Sequence, residues 1–183
     1  MKYDLNWVKE KFDNQEKIKY IFFWGHRAQK DGSIGMGCLS QWWEQSFEKE
    51  NLVFKSAEHF MMYQKAILFE DTEIAQQILS CRTPAEAKKL GRKVRKFEQV
   101  VWEKNRYEIV LEASVLKFGQ NEDLKEYLLK TGDRILVEAS PYDKIWGIGL
   151  TKDAPNVHDP YTWDGLNLLG FALMDARDIL QDE

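Results

Sequence analysis

From Ser56 to Gly132 the sequence carries one helix signal after another, and extended signals survive only as short runs outside that stretch. That distribution limits the chain to an α+β fold, predominantly helical, with a few short strands. Ser56 reads as an N-cap, after which Met61, Met62, Lys65, Ala66 and Phe69 recur at spacings of three and four. Thr83-Pro84-Ala85-Glu86 is a stronger start signal, a capping box with Pro at the first helical position. Trp102, Ile109, Ala113 and Leu116 mark one stripe of a longer helix that Gly119 terminates, and Leu124, Tyr127 and Leu128 mark a short helix ended by Gly132. Asp164 reads as the cap of a last helix whose apolar face includes Leu169, Leu173, Ala176 and Leu180. The aromatic and β-branched run 20–24, closed by Gly25, predicts a strand, as does 135–137. Residues 38–43 and 52–54 read as further short extended pieces, so strands are expected near the N-terminus and around residues 135 to 150.

A chain of 183 residues fits a single domain. Residues 1–19, with mixed charges, read as an N-terminal extension packed on a domain formed by 20–183. No repeat, linker or low-complexity segment interrupts it. Regular βα alternation is missing, as are GxGxxG and GxxxxGK[ST], which argues against Rossmann and P-loop nucleotide enzymes; Gly147-Ile148-Gly149 reads as a turn. The formal net charge of −4 argues against a protein held on nucleic acid mainly by neutralising phosphates. The opening segment is polar and no apolar run approaches the ~18 residues of a membrane span, so the reading is cytoplasmic with no membrane partner. The sequence sets no oligomeric state.

Cys38 and Cys81 lack CxxC spacing and read as small buried hydrophobes, and His26, His59 and His158 lack metal-ligand spacing. No metal and no cofactor are therefore expected. Seven Trp are many for this length, and such rings fill cores or stack on flat bases. A helix capped by Ser56 puts Glu58 in its first turn, where free N–H groups favour a carboxylate, and Lys65 follows two turns on along nearly the same face, past Met61 and Met62. An acid and a base on an apolar stripe either face a cavity or form a buried structural pair, and the spacing alone allows both. Asp143, three residues before Trp146 in a glycine-bearing loop, is placed for a pocket rim or for a routine turn.

Seven blocks then match one pattern in order and spacing: Phe22-Phe23-Trp24-Gly25, Leu39-Ser40-Gln41-Trp42, Ser56-Ala57-Glu58-His59 with Lys65, Lys89-Leu90-Gly91-Arg92, Leu136-Val137-Glu138-Ala139-Ser140, Trp146-Gly147-Ile148-Gly149, and Gly165-Leu166-Asn167-Leu168-Leu169-Gly170 through Arg177. Over about residues 20 to 180 the chain resembles the NADAR (YbiA-like) family. The resemblance implies a compact, mainly helical YbiA-like fold and a metal-free N-glycoside hydrolase that breaks a ribose C1′–N bond. Some members of the family remove ADP-ribose from guanine, and others cleave ribosylaminopyrimidine phosphate intermediates of riboflavin biosynthesis. The implied partner is accordingly a small-molecule N-riboside or an ADP-ribosylated nucleobase, the latter also within nucleic acid. A module that binds NAD or ADP-ribose without turnover is the reading from another class.

By the same resemblance the candidate catalytic groups are Glu58, Lys65 and Asp143, and the substrate-binding side is made by Phe23, Trp24, Gly25, Ser40, Trp42, Arg92, Trp146, Gly147, Gly149 and Asn167. Asp143 and Trp146 are expected at the same cavity as Glu58. Trp24, Trp42 and Trp146 are suited to stack on a base, and Arg92 to meet a phosphate. Some members carry an Asp after the Trp-Gly of the sixth block, where this chain has Ile148; that departure inclines the reading from the riboflavin intermediates toward ADP-ribose chemistry.

Overall fold

The computed structural model describes residues 1–182. In chain order it has helix α1 (Leu5–Asp13), strand β1 (Tyr20–Phe23), strands β2 (Phe47–Lys49) and β3 (Leu52–Phe54), helices α2 (Ala57–Leu68), α3 (Thr72–Ser80), α4 (Pro84–Gly91), α5 (Gln99–Gly119) and α6 (Glu122–Leu129), strand β4 (Ile135–Glu138) and helix α7 (Leu168–Gln181). The α+β class expected from the sequence is the one observed. The residues form two compact units, one continuous (Gln41–Lys125) and one made of Met1–Ser40 together with the chain from Glu126 on.

In the continuous unit, β2 and β3 pair antiparallel with Phe47 opposite Phe54. The two residues between them, Glu50 and Asn51, both have positive φ (52 and 65), the twist that lets a two-residue turn match the flanking strands. Phe47, Phe54, Ala57, Phe60 and Ala113 make the core, and burying each aromatic ring contributes about 1.5–3 kcal/mol. Helix α2 is the centre of this unit, packed against α3, α4 and α5, so that even its polar residues Glu58 and His59 are buried. Ser56 caps it and Thr83 caps α4 with the expected capping box. Close contact of α4 with α2 depends on Gly91, where a Cβ would run into the Met62 side chain.

In the other unit, β1 and β4 pair parallel from Tyr20 opposite Ile135 to Phe23 opposite Glu138. The first three residues of β4 are buried, as parallel strands are, and α7 packs on this strand. Contact there is possible because residue 170 is glycine: a Cβ would strike the Leu136 carbonyl. Helix α1, capped by Asp4, packs against a 3₁₀ turn at Pro160–Thr162, with the Tyr161 hydroxyl donating to Asp13 at 2.7 Å.

Four expectations are corrected. Residues 38–43 are not extended: the N–H groups of Cys38 and Ser40 turn back to the carbonyls of Gly35 (3.0 Å) and Gly37 (3.1 Å), a 3₁₀ turn at Met36–Leu39 that brings Gly37 against the Arg27 backbone more closely than a Cβ would allow. No strand follows β4 up to residue 150. Asp164 does not cap α7; its N–H donates to the Ile148 carbonyl (2.9 Å), its carboxylate meets Lys144 (2.9 Å), and the helix starts four residues later after Asn167. Cys38 is buried as expected, but Cys81 is half-exposed, at the end of α3, with its thiol directed to the Ile78 carbonyl (3.2 Å).

Candidate active site

The first turn of α2 supplies the candidate carboxylate. The side chain of Ser56 accepts from the His59 N–H, which starts the helix, and the Glu58 N–H is taken by the Gln41 carbonyl at 3.0 Å. Glu58 is only 3% exposed, at the end of the helix whose dipole stabilises an anion. His59 is buried beside it, and its Nδ1 lies 2.8 Å from the Ser56 hydroxyl. Burial, reinforced by the Lys55 ammonium, lowers its pKa from 6.5 to about 4, so the ring is neutral at neutral pH. A neutral ring that accepts from the Ser56 hydroxyl at Nδ1 carries its own proton on Nε2.

Two turns further along α2, the half-buried Lys65 donates to the Gly91 carbonyl at 2.9 Å and lies over the rings of Phe97 (4.3 Å) and Trp102 (5.6 Å). Burial pulls its pKa below that of an ordinary lysine, and the neighbouring Arg92 guanidinium pulls the same way; Glu58 opposes both. Arg92 itself is exposed at the C-terminal end of α4. Trp42 is half-buried, with the Lys88 ammonium 5.6 Å from its ring centre. Of the candidates, Glu58, Lys65, Arg92 and Trp42 thus belong to the continuous unit.

The remaining candidates belong to the other unit. Asp143 is engaged in its own loop: one carboxylate oxygen accepts from the N–H of Ile145 (2.9 Å) and of Trp146 (2.8 Å), and the Asp143 carbonyl accepts from Gly149 (3.2 Å). Gly147 lies so close to the Glu138 carbonyl that a Cβ would come within 2.7 Å of it, and Gly149 has a φ of 70. Ile148 is fully buried and donates its N–H to the Glu138 carbonyl at 2.9 Å. Asn167, in a left-handed conformation, is fully buried, and both ends of its amide serve β4: Oδ1 accepts from the Glu138 N–H (3.0 Å) and Nδ2 donates to the Leu136 carbonyl (2.9 Å). Asn167, Leu168 and Leu169 in turn donate their backbone N–H groups to Gly147, Ile145 and Trp146, so Asn167 ties the Trp146 loop to the strand. Phe23 is a core residue, Ser40 ends the Met36–Leu39 turn, and Trp146 is half-buried. Trp24, next to the positive-φ Gly25, is 58% exposed and faces the 86% exposed Tyr142 with ring centres 6.0 Å apart.

Two residues at these positions are not among the sequence candidates: Gln41, which stands in the second matching block without a role of its own, and Tyr142, an aromatic in a turn-rich segment. No group of three or more His, Cys, Asp or Glu side chains that could hold a metal ion lies among the described residues. No helix among them is long and apolar enough to cross a membrane.

Fold and site together define a mainly helical α+β protein that sets a buried carboxylate and a half-buried amine on one helix. The chain belongs to the NADAR family: the NADAR domain profile matches residues 22–181 and so spans both units as one domain. N-glycosidase R617 of Acanthamoeba polyphaga mimivirus is 44% identical over 169 residues, which cover 89% of this chain and 97% of the relative. Riboflavin biosynthesis protein VVA0006 of Vibrio vulnificus is 31% identical over 146 residues, 80% of this chain but 36% of that longer protein. The solved structure of E. coli YbiA superposes with a TM-score of 0.70 at 24% identity, covering 90% of this chain and 86% of YbiA, which shows the shared fold.

Proposed function

We propose that this protein is an N-glycosidase that hydrolyses the C1′–N bond joining ribose to guanine in an ADP-ribosylated base, with Glu58 and Lys65 as its catalytic groups. The enzyme is a hydrolase of N-glycosyl compounds, a reading supported by the N-glycosidase named among its relatives. The observation that carries the assignment of groups is the pairing on α2 of a buried carboxylate with a half-buried amine of lowered pKa. As the C1′–N bond breaks, positive charge develops on C1′ and O4′, and a fixed carboxylate lowers the energy of that state more than of the bound substrate. The bonding electrons leave with the base nitrogen, which takes up a proton, and water adds its oxygen to C1′. Glu58 stabilises the cation and orients that water. Lys65 either protonates the leaving nitrogen or, deprotonated more easily than an ordinary lysine, forms an imine with the aldehyde of ring-opened ribose and releases water. In the other unit Trp146 offers a ring suited to a base, and Asp143 shapes the loop that carries it. Arg92 meets a phosphate.

A second reading, cleavage of a ribosylaminopyrimidine phosphate, is favoured by the likeness to VVA0006. The burial of Ile148, where some members carry an acid, weighs against it. The test is to incubate the protein separately with ADP-ribosylated guanosine and with a ribosylaminopyrimidine phosphate and to identify released base by mass spectrometry. Release of guanosine and ADP-ribose from the first is the expected result; release only from the pyrimidine selects the second reading, and ligand binding without release from either selects a non-catalytic module. Glu58→Gln is expected to cut turnover by roughly 10² or more with folding and ligand affinity kept. Borohydride during turnover is expected to leave a stable adduct on Lys65. A fully active Lys65→Arg would instead make Lys65 an electrostatic partner of Glu58.

A further inference from the structure

Gln41 is 6% exposed, its side-chain Oε1 is buried with no hydrogen-bond donor, and Nε2 has no acceptor among the described residues either. Buried amides are normally satisfied at both ends, and an unsatisfied one destabilises the fold that contains it. Trp43 Nε1, two residues on, is also buried without an acceptor. The main chain of Gln41 is meanwhile fixed, because its carbonyl takes the Glu58 N–H at 3.0 Å. An amide with both ends open is thus carried by a residue whose carbonyl is bonded to the Glu58 N–H in the first turn of α2.

We propose that Gln41 is a specificity-determining residue whose amide binds the ribose of the N-riboside, Oε1 accepting from one of its vicinal hydroxyls and Nε2 donating to the other. This rests on the N-glycosidase reading, since it takes Glu58 to face C1′. The hydroxyl on the carbon next to C1′ is then the substrate donor nearest to a group anchored at Glu58, and a vicinal diol offers the donor and acceptor that the two open ends require. A site built to hydrogen-bond a hydroxyl rejects the analogue that lacks it, because the buried amide is again left unpaired.

The experiment compares wild type with Gln41→Leu on ADP-ribosylated guanosine and on its analogue lacking the 2′-hydroxyl of the scissile ribose, and measures Tm of each protein without ligand. Intrinsic lability of the deoxy compound cancels in the comparison between proteins. The expected result is that Gln41→Leu keeps or raises Tm while kcat/KM on the ribo substrate falls at least about tenfold and the preference for ribo over deoxy shrinks. Gln41→Met, unbranched and closer in shape, repeats the measurement should the leucine variant fail to fold. Undiminished activity and preference in the variants would overturn the proposal. So would an equal loss on both substrates, which assigns the amide to the base edge, or a fall in Tm alongside activity, which makes Gln41 architectural. A wild type that releases base from no N-riboside would instead overturn the N-glycosidase reading, a separate outcome visible before any variant is made.

Discussion

His59 directly follows Glu58 in the chain, yet its imidazole is tied to Ser56 rather than available as a second acid. With a pKa of about 4 in the folded state against 6.5 when unfolded, the unfolded chain binds the extra proton first as pH falls. The stability that this ring contributes is therefore complete above about pH 6.5 and is lost as pH falls toward about 4, a loss on the order of 3 kcal/mol. Urea unfolding between those limits should show that slope, and His59→Gln should flatten it; an unchanged slope would assign the acid sensitivity elsewhere. At this scale the sequence places Glu58 and Lys65 on one helix, because a cap, a heptad spacing and an apolar stripe are all local. It does not disclose the bonds that Asp143 and Asn167 make. Whether an acid in a loop is open to a ligand or bonded to its own backbone, and whether an amide in a glycine-rich block is surface or strand partner, depends on neighbours that only the fold supplies.

The sequence announced α2, α4, α5 and α6, through a capping motif, a long stripe or a closing glycine. The two missed, α1 and α3, have nine residues each, and only Val8 is buried in α1, so their periodicity is too short or too thin to stand out. α7 starts four residues past Asp164 because no side chain caps it. Asn167 makes no cap bond to the helix and is instead engaged by β4. That junction is tightly packed, and Gly170→Ala should cost at least about 2 kcal/mol, since the added methyl meets the Leu136 carbonyl and the Asn167 amide, neither of which can yield without releasing the strand. The denaturant midpoint measures it, and a variant as stable as wild type would mean that α7 can slide on β4 without loss.

The whole chain is acidic, but residues 87–97 hold six Lys and Arg and no Asp or Glu. Arg95 is paired with Asp71 and Glu73, Lys96 meets Glu70, and Lys88 lies over Trp42, which leaves Lys89, Arg92 and Lys93 exposed around Gly91. An anionic substrate engaged there should show a KM that rises about three- to tenfold between 50 and 300 mM salt while kcat holds, with the slope reduced in Arg92→Ala. A KM indifferent to salt would remove Arg92 from phosphate binding. The pairing of β1 with β4 joins segments on the order of a hundred residues apart, with the continuous unit lying between them in the chain. During synthesis, then, the segment that carries Glu58 and Lys65 has all of its own helices before β4 has left the ribosome, whereas β1 waits unpaired for a strand made after them. The acid and the amine are set in place early; the aromatic exposed at the end of β1 acquires its final surroundings only once β4 has emerged.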